Sequence, residues 1–148
     1  MPTLHDEPGL AAFLRKQEAA VLALPIDVDG TIHGATLTYW HEERSLAFYF
    51  VTGKASEKCR LLQDGSRQKA ALVVGANNGT AFTPQMPGTV QIVSKDMYAE
   101  QITGYTEKRG NSNDLDRPDS VLLQFLPTWA RFTDFAKGWN TSVLDLEE

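Results

Sequence analysis

Apolar and polar positions alternate with period two through most of this chain, broken by three short stretches of helical spacing. From Pro8 to Lys16 the residues Leu10, Phe13 and Leu14 recur at helical intervals, which predicts a short amphipathic helix over about 8–17 that lids a core. Ala20 to Val28 and Thr31 to Trp40 read as two strands around Asp29-Gly30, a pair favoured in hairpin turns. Ser45 to Thr52 carries Leu46, Phe48, Tyr49, Phe50 and Val51, a β-rich run too short for a typical helix, and is expected to be a central strand. A helix is expected over Ala55 to Gln63, with Ala55, Cys59 and Leu62 on its inner face and Asp64-Gly65 closing it.

Further on, strands are expected at Lys69 to Gly75 and Thr89 to Ser94, separated by a polar loop that holds Asn77-Asn78-Gly79, Pro84 and Pro87. Met97 to Lys108 predicts a helix weakened by Gly104, and Arg109 to Asp119 a polar loop. Val121 to Leu126 and Thr128 to Phe135 then form a last strand pair with Pro127 at the bend, leaving 137–148 as a tail. Many short strands and few helices point to a mainly β domain, a small antiparallel barrel with helices at its ends.

The bulk numbers narrow the class without naming a function. A chain of 148 residues fits one domain, and its 42% hydrophobic content lies above the range of disordered segments. Its formal net charge of -5 gives no basic field for nonspecific nucleic-acid binding, so no nucleic-acid partner is expected. The single cysteine, Cys59, excludes an intramolecular disulfide and fits a reducing, cytoplasmic compartment. No segment reaches the roughly 20 apolar residues that span a bilayer as a helix, so no membrane partner is expected.

Candidate chemistry concentrates in Thr52-Gly53-Lys54-Ala55-Ser56-Glu57-Lys58. Lys54 and Lys58 stand at the expected start of a helix, where each cation costs roughly 0.3 to 1 kcal/mol unless an anion offsets it. With the Ser56 and Thr52 hydroxyls they make a candidate phosphate site; the plain alternative is a solvated helix start. His5, His33 and His41 lack metal-ligand spacing, so no metal is expected, and Cys59 reads as a packing residue. There is no G-x-G-x-x-G, P-loop or G-x-S-x-G motif.

Phe48-Tyr49-Phe50-Val51-Thr52 followed by Ser56-Glu57-Lys58 resembles the strand and serine-x-lysine phosphate turn of the pyridoxamine 5'-phosphate oxidase-like flavoproteins. His33-Gly34-Ala35-Thr36-Leu37-Thr38 is similar to the strand whose backbone lies along the flavin in that family. Gly88-Thr89-Val90-Gln91-Ile92 is similar to the strand whose glutamine reaches flavin across the dimer. Trp129-Ala130-Arg131 matches by position the strand that brings a tryptophan and an arginine toward the partner's flavin, and Trp40 and Trp139 are further candidate ring walls. The resemblance, over roughly 8–136, implies a six- to seven-stranded antiparallel split β-barrel with two or three flanking helices. It also implies a homodimer with FMN at the interface. The cofactor-binding residues it implies are Thr36, Leu37, Thr38, Thr52, Lys54, Ser56, Lys58, Gln91, Trp129 and Arg131.

The resemblance also implies an FMN-dependent oxidoreductase acting on a small substrate or electron donor. Ala35 stands near the family's arginine position and Tyr39 or Trp40 near its lysine position, and no late Arg-x-His follows. The substrate is therefore expected to differ from pyridoxamine phosphate. A noncatalytic module that binds or senses flavin or haem on the same fold stays open.

Overall fold

The computed structural model describes residues 10–42, 44–75, 82–110, 117–134 and 140–145. His5, the polar stretches 76–81 and 111–116, and Trp139 lie outside them. Two α-helices, α1 (Leu10–Lys16) and α2 (Ala99–Arg109), flank an antiparallel sheet. Its strands are β1 (Ala19–Pro25), β2 (Ile32–Thr38), β3 (Trp40–His41), β4 (Phe48–Gly53) and β5 (Gln68–Val74). They continue with β6 (Phe82–Val93), β7 (Ser120–Pro127), β8 (Trp129–Asp134) and β9 (Asn140–Asp145). The strand order is β2-β1-β5-β6-β7-β4-β3, with β8 on β6 and β9 on β8. The sheet curls so that β2 approaches β4, the strand five places along that path, giving the mainly β split barrel that the alternation predicts.

The period-two pattern positions the core directly. On β1 the positions Ala20, Leu22 and Leu24 are buried and their neighbours half-buried. With Phe48, Phe50, Leu72, Val74, Val90, Leu123 and Phe125 they fill the barrel, and Leu10 and Leu14 of α1 close one end. A smaller cluster of Ala47, Tyr49 and Leu122 lies on the other face of the sheet, joined by Trp40, Tyr98 and Ile102.

The structure corrects several expectations. The hairpin loop runs from Ile26 to Thr31, wider than the Asp29-Gly30 pair, because Ile26 N–H donates to Thr31 O at 2.9 Å and Asp27 Oδ1 accepts from Thr31 N–H at 3.1 Å. Gly30 takes φ 81° there, a conformation natural to glycine. β4 lies next to the two-residue edge strand β3, so it is not central in the sheet. The expected helix over Ala55 to Gln63 is a three-residue 3-10 turn, Glu57–Cys59, although Cys59 and Leu62 do face inward, both fully buried.

Pro84 and Pro87, expected in a loop, are part of β6, which begins at Phe82. Residues Phe82 to Gln85, Pro84 among them, pair with β8 and residues Gly88 to Val93 with β7, so Pro87 falls where the strand changes partner. Part of the expected tail forms β9, paired residue by residue with β8 from Asn140↔Asp134 to Asp145↔Trp129. His41 is 3% exposed, with ring contacts to Tyr39 and Phe48. Among the described residues no helix is long and apolar enough to cross a membrane.

Candidate functional site

The turn after β4 holds itself together through its own backbone. Ser56 Oγ donates to Gly53 O at 2.7 Å, Cys59 N–H to Ser56 O at 3.0 Å, and Gln63 Nε2 to Lys54 O at 2.7 Å. Lys54 N–H donates to Asp119 O at 2.7 Å, which fastens the turn to the start of β7. A 3-10 segment of three residues has no macrodipole comparable to an α-helix, so the helix-end argument for an anion does not hold here. What remains is side-chain chemistry: Lys54 exposed, Lys58 half-buried, and a half-buried Ser56 hydroxyl that donates to Gly53 O and lies 3.5 Å from Cys59 Sγ.

A cavity of about 210 Å³ adjoins this turn, lined by Val51, Thr52, Gly53, Arg117, Asp119 and Ser120. Lys95 Nζ donates to Ser120 Oγ at 2.8 Å, and Ser120 Oγ to Arg117 O at 2.8 Å. Arg117 and Lys95 thus add two cations near Thr52 that sequence reading did not select. Arg117 arrives on the turn leading into β7 and Lys95 from the turn after β6, a tertiary neighbourhood that no local motif signals.

The structure brings β2 beside this turn, with Cα atoms of the strand within 8 Å of Glu57–Cys59. Of the predicted β2 residues, Thr36 is exposed opposite Val21 and Leu37 packs against the core. Thr38 Oγ1 hydrogen-bonds Tyr105 Oη at 2.9 Å. Gln91 sits half-buried on β6, paired with Gln124. Trp129 and Arg131 are exposed on β8 with the guanidinium 5.9 Å from the indole centroid. They do not join the turn within one chain. Thr52 pairs with Val121 at the start of β7, and the six residues to Pro127 at about 3.3 Å each put the end of that strand some 20 Å away, with Trp129 beyond it at the start of β8.

A second basic pocket lies where the helices end. Arg15, Lys16, Lys108 and Arg109 line a cavity of about 410 Å³ with Glu18, Thr38 and Tyr39. Lys108 Nζ stands 3.7 Å from the Tyr39 ring centroid and donates to Leu14 O at 3.3 Å, the carbonyl that also accepts from Tyr39 Oη at 2.7 Å. Burial lowers the Lys108 amine to about 8, opposed by Glu18, and raises the Tyr39 phenol. The signal in the sequence was the basic last turn of both helices, Arg15-Lys16 and Lys108-Arg109.

With this geometry in place, solved structures show what the chain is similar to. General stress protein 26 from Bacillus anthracis superposes with a TM-score of 0.69 at 16% identity, over 96% of this chain and 99% of that one. A protein related to general stress protein 26, of the pyridoxinephosphate oxidase family, from Clostridium acetobutylicum gives 0.61 at 13% over 92% and 91%. The chain has the pyridoxamine 5'-phosphate oxidase-like split-barrel fold. A heme binding protein from Mycobacterium smegmatis shares this split barrel, with a TM-score of 0.70 at 14% identity over 94% of this chain and 59% of that one. No family model and no curated protein matches the chain. At these identities the likeness to split-barrel proteins concerns the fold; residue roles rest on the geometry above.

Proposed function

We propose that this chain is an FMN-binding flavoprotein and an oxidoreductase, active as a cytoplasmic homodimer with FMN at the subunit interface. The observation that carries it is the meeting of β2 with the Thr52–Lys58 turn, which sets two lysines and two hydroxyls beside an extended strand. FMN needs cations and donors for a phosphate, hydrogen bonds along a ribityl chain, and flat walls around a ring. Lys54 and Lys58 would neutralise the phosphate, with Arg117 and Lys95 nearby. Thr52 and Ser56 would bond its oxygens or the ribityl hydroxyls, and the backbone of Thr36, Leu37 and Thr38 would follow the chain toward the ring. Trp129 and Arg131, too far within one chain, would reach the ring from the second subunit, and Gln91 likewise.

The flavin, when bound, supplies hydride or electron transfer from a donor such as a nicotinamide nucleotide to a small substrate. The protein residues orient it, exclude water and set its surroundings. Half-buried Val21 and Val73 and exposed Ala71 on the outer face of β1 and β5 provide an apolar patch suited to the second subunit.

The test is the absorption spectrum of the purified protein, followed by denaturation and mass identification of any released chromophore, with FMN titration of wild type and Lys58→Ala. Released FMN and a weaker Lys58→Ala complex are expected. A colourless protein that ignores added FMN overturns the reading, and unchanged affinity in Lys58→Ala overturns the phosphate assignment. The second reading, a haem-binding or sensing module, is favoured by the similarity to the M. smegmatis heme binding protein. A Soret band in place of flavin bands would select it, and bound flavin that never cycles with a nicotinamide donor would select flavin storage.

A further inference from the structure

Lys108 and Arg15 line both the basic cavity of about 410 Å³ at the helix ends and a neighbouring cavity of about 840 Å³ walled by Trp40 and Gly104. The Lys108 side chain therefore borders open space that admits a small molecule. Two groups hold its nitrogen: it donates to Leu14 O at 3.3 Å and lies 3.7 Å from the centroid of the Tyr39 ring. Tyr39 is fully buried and its own hydroxyl donates to the same carbonyl at 2.7 Å, which fixes ring and carbonyl together.

Among the described residues no third hydrogen-bond acceptor meets this nitrogen. An ammonium has three N–H groups and a neutral amine two, so the neutral form can keep both contacts and carry its lone pair in the position left over. Burial lowers the amine to about 8 against the opposing charge of Glu18, so about a tenth of it is neutral at pH 7.

The rest of the smaller cavity selects the partner. Arg15, Lys16 and Arg109 line it, with Glu18 as its one carboxylate. Three cations draw an anion toward the amine, and a carbonyl carbon is the electrophile with which a lysine forms a Schiff base.

We propose that Lys108 is a nucleophilic amine that forms an imine with a small aldehyde or ketone bearing an anionic group, which Arg15, Lys16 and Arg109 attract. The nitrogen lone pair adds to the carbonyl carbon, a C–N bond forms, and the carbonyl oxygen departs as water with the two amine hydrogens. Nothing is oxidised or reduced. A proton taken up from solvent by the imine nitrogen restores one N–H for Leu14 O. The proposal does not rest on the FMN reading, since Thr38 is the one residue that this cavity shares with that site.

The experiment treats the full chain at pH 7 with glyoxylate, an anionic aldehyde, and sodium cyanoborohydride, which reduces an imine to a stable amine. Peptide mass mapping then gives a rate at each lysine, so no variant has to fold. The neutral fraction of Lys108 exceeds that of an ordinary lysine by roughly 200-fold, and its lower basicity gives back part of that gain. Lys108 is expected to react at least about tenfold faster than the exposed Lys54 and Lys69. With glycolaldehyde, a neutral aldehyde, that preference is expected to fall by about threefold or more, because the cations no longer help. In protein unfolded by urea it is expected to vanish. A Lys108 rate no greater than that of Lys54 and Lys69 overturns the proposal. So does a preference that is equal for the two aldehydes, or one that persists in urea.

Discussion

Gly104 stands in the middle of α2, where glycine normally costs about 1 kcal/mol against alanine, and the surroundings explain its presence. A Cβ there would lie 2.6 Å from Trp40 Cζ2 and 2.7 Å from Trp40 Nε1, well inside contact distance. The indole also packs against Tyr49, with ring centroids 6.0 Å apart, which restricts how it can move. Overpacking of this kind costs about 2 to 3 kcal/mol, and subtracting the helix propensity gain leaves Gly104→Ala destabilised by about 1 to 2 kcal/mol. For a chain of this length the melting temperature should fall by about 2 to 8 °C, read by circular dichroism. In a Trp40→Leu background the same change should become stabilising by up to about 1 kcal/mol, since only the propensity term is left. A rise in melting temperature for Gly104→Ala alone would refute the packing of α2 on β3.

Gly88→Ala is expected to be far worse, because the added Cβ would press on the backbone of Leu126 and Pro127, which no side-chain rotation relieves. A loss of more than about 3 kcal/mol in urea unfolding, or failure to fold, is the expected result, and near-neutrality would contradict the β6–β7 crossing. Lys108 gives a pH signature. With its folded pKa lowered to about 8 from 10.5, the folded state sheds a proton that the unfolded state keeps, so wild-type stability rises with pH between those values. Lys108→Met lacks that rise. It should equal or exceed wild type by up to about 1 kcal/mol at pH 7, because the partly exposed amine keeps a ring and a carbonyl that favour its cation, and lose the advantage by pH 10. Parallel pH profiles in urea unfolding would refute the burial of this amine.

Period two was a sufficient signal wherever a strand buries one face, which is why β5 and β7 were legible within one residue at each end, and β1 at its start, although it ends at Pro25, three residues before the expected Val28. The segment 55–63 was misread because its inward residues, Cys59 and Leu62, are three apart, a spacing that an α-helix and a tight 3-10 turn share. Gly104 looked like a weakness since a helix pattern holds no information about a tryptophan 64 positions earlier. β3 has two residues and β9 pairs only with β8, so neither carries enough periodicity to stand out. The lysines of the turn were legible as a motif, whereas Arg117, Lys95 and Gln124 belong to the site region only through strand pairing.

The prolines of β6 show how an apparent sequence defect builds the split in this barrel. Along one edge β6 exchanges β8 for β7 between Gln85 and Gly88, while its other edge stays on β5 through Gln85 to Val90. At a position between two partners a missing N–H costs least, and Pro87 has none. Its carbonyl accepts both Thr128 N–H at 2.9 Å and Thr128 Oγ1 at 3.2 Å, which turns β7 into β8 at the same level. Gly88 then lets Leu126 and Pro127 come closer than any side chain permits. The alternation of burial runs unbroken through that point from Pro84 to Val90, and the third residue beyond Gly88 is Gln91, facing Gln124. Had the strand continued without this break, β8 would compete for the edge that β7 occupies, and Gln91 would lose Gln124 as its neighbour across the sheet. Pro87, which helped hide this strand from a reading by propensity, and Gly88 beside it therefore mark where the sheet divides and which residue of β7 faces Gln91.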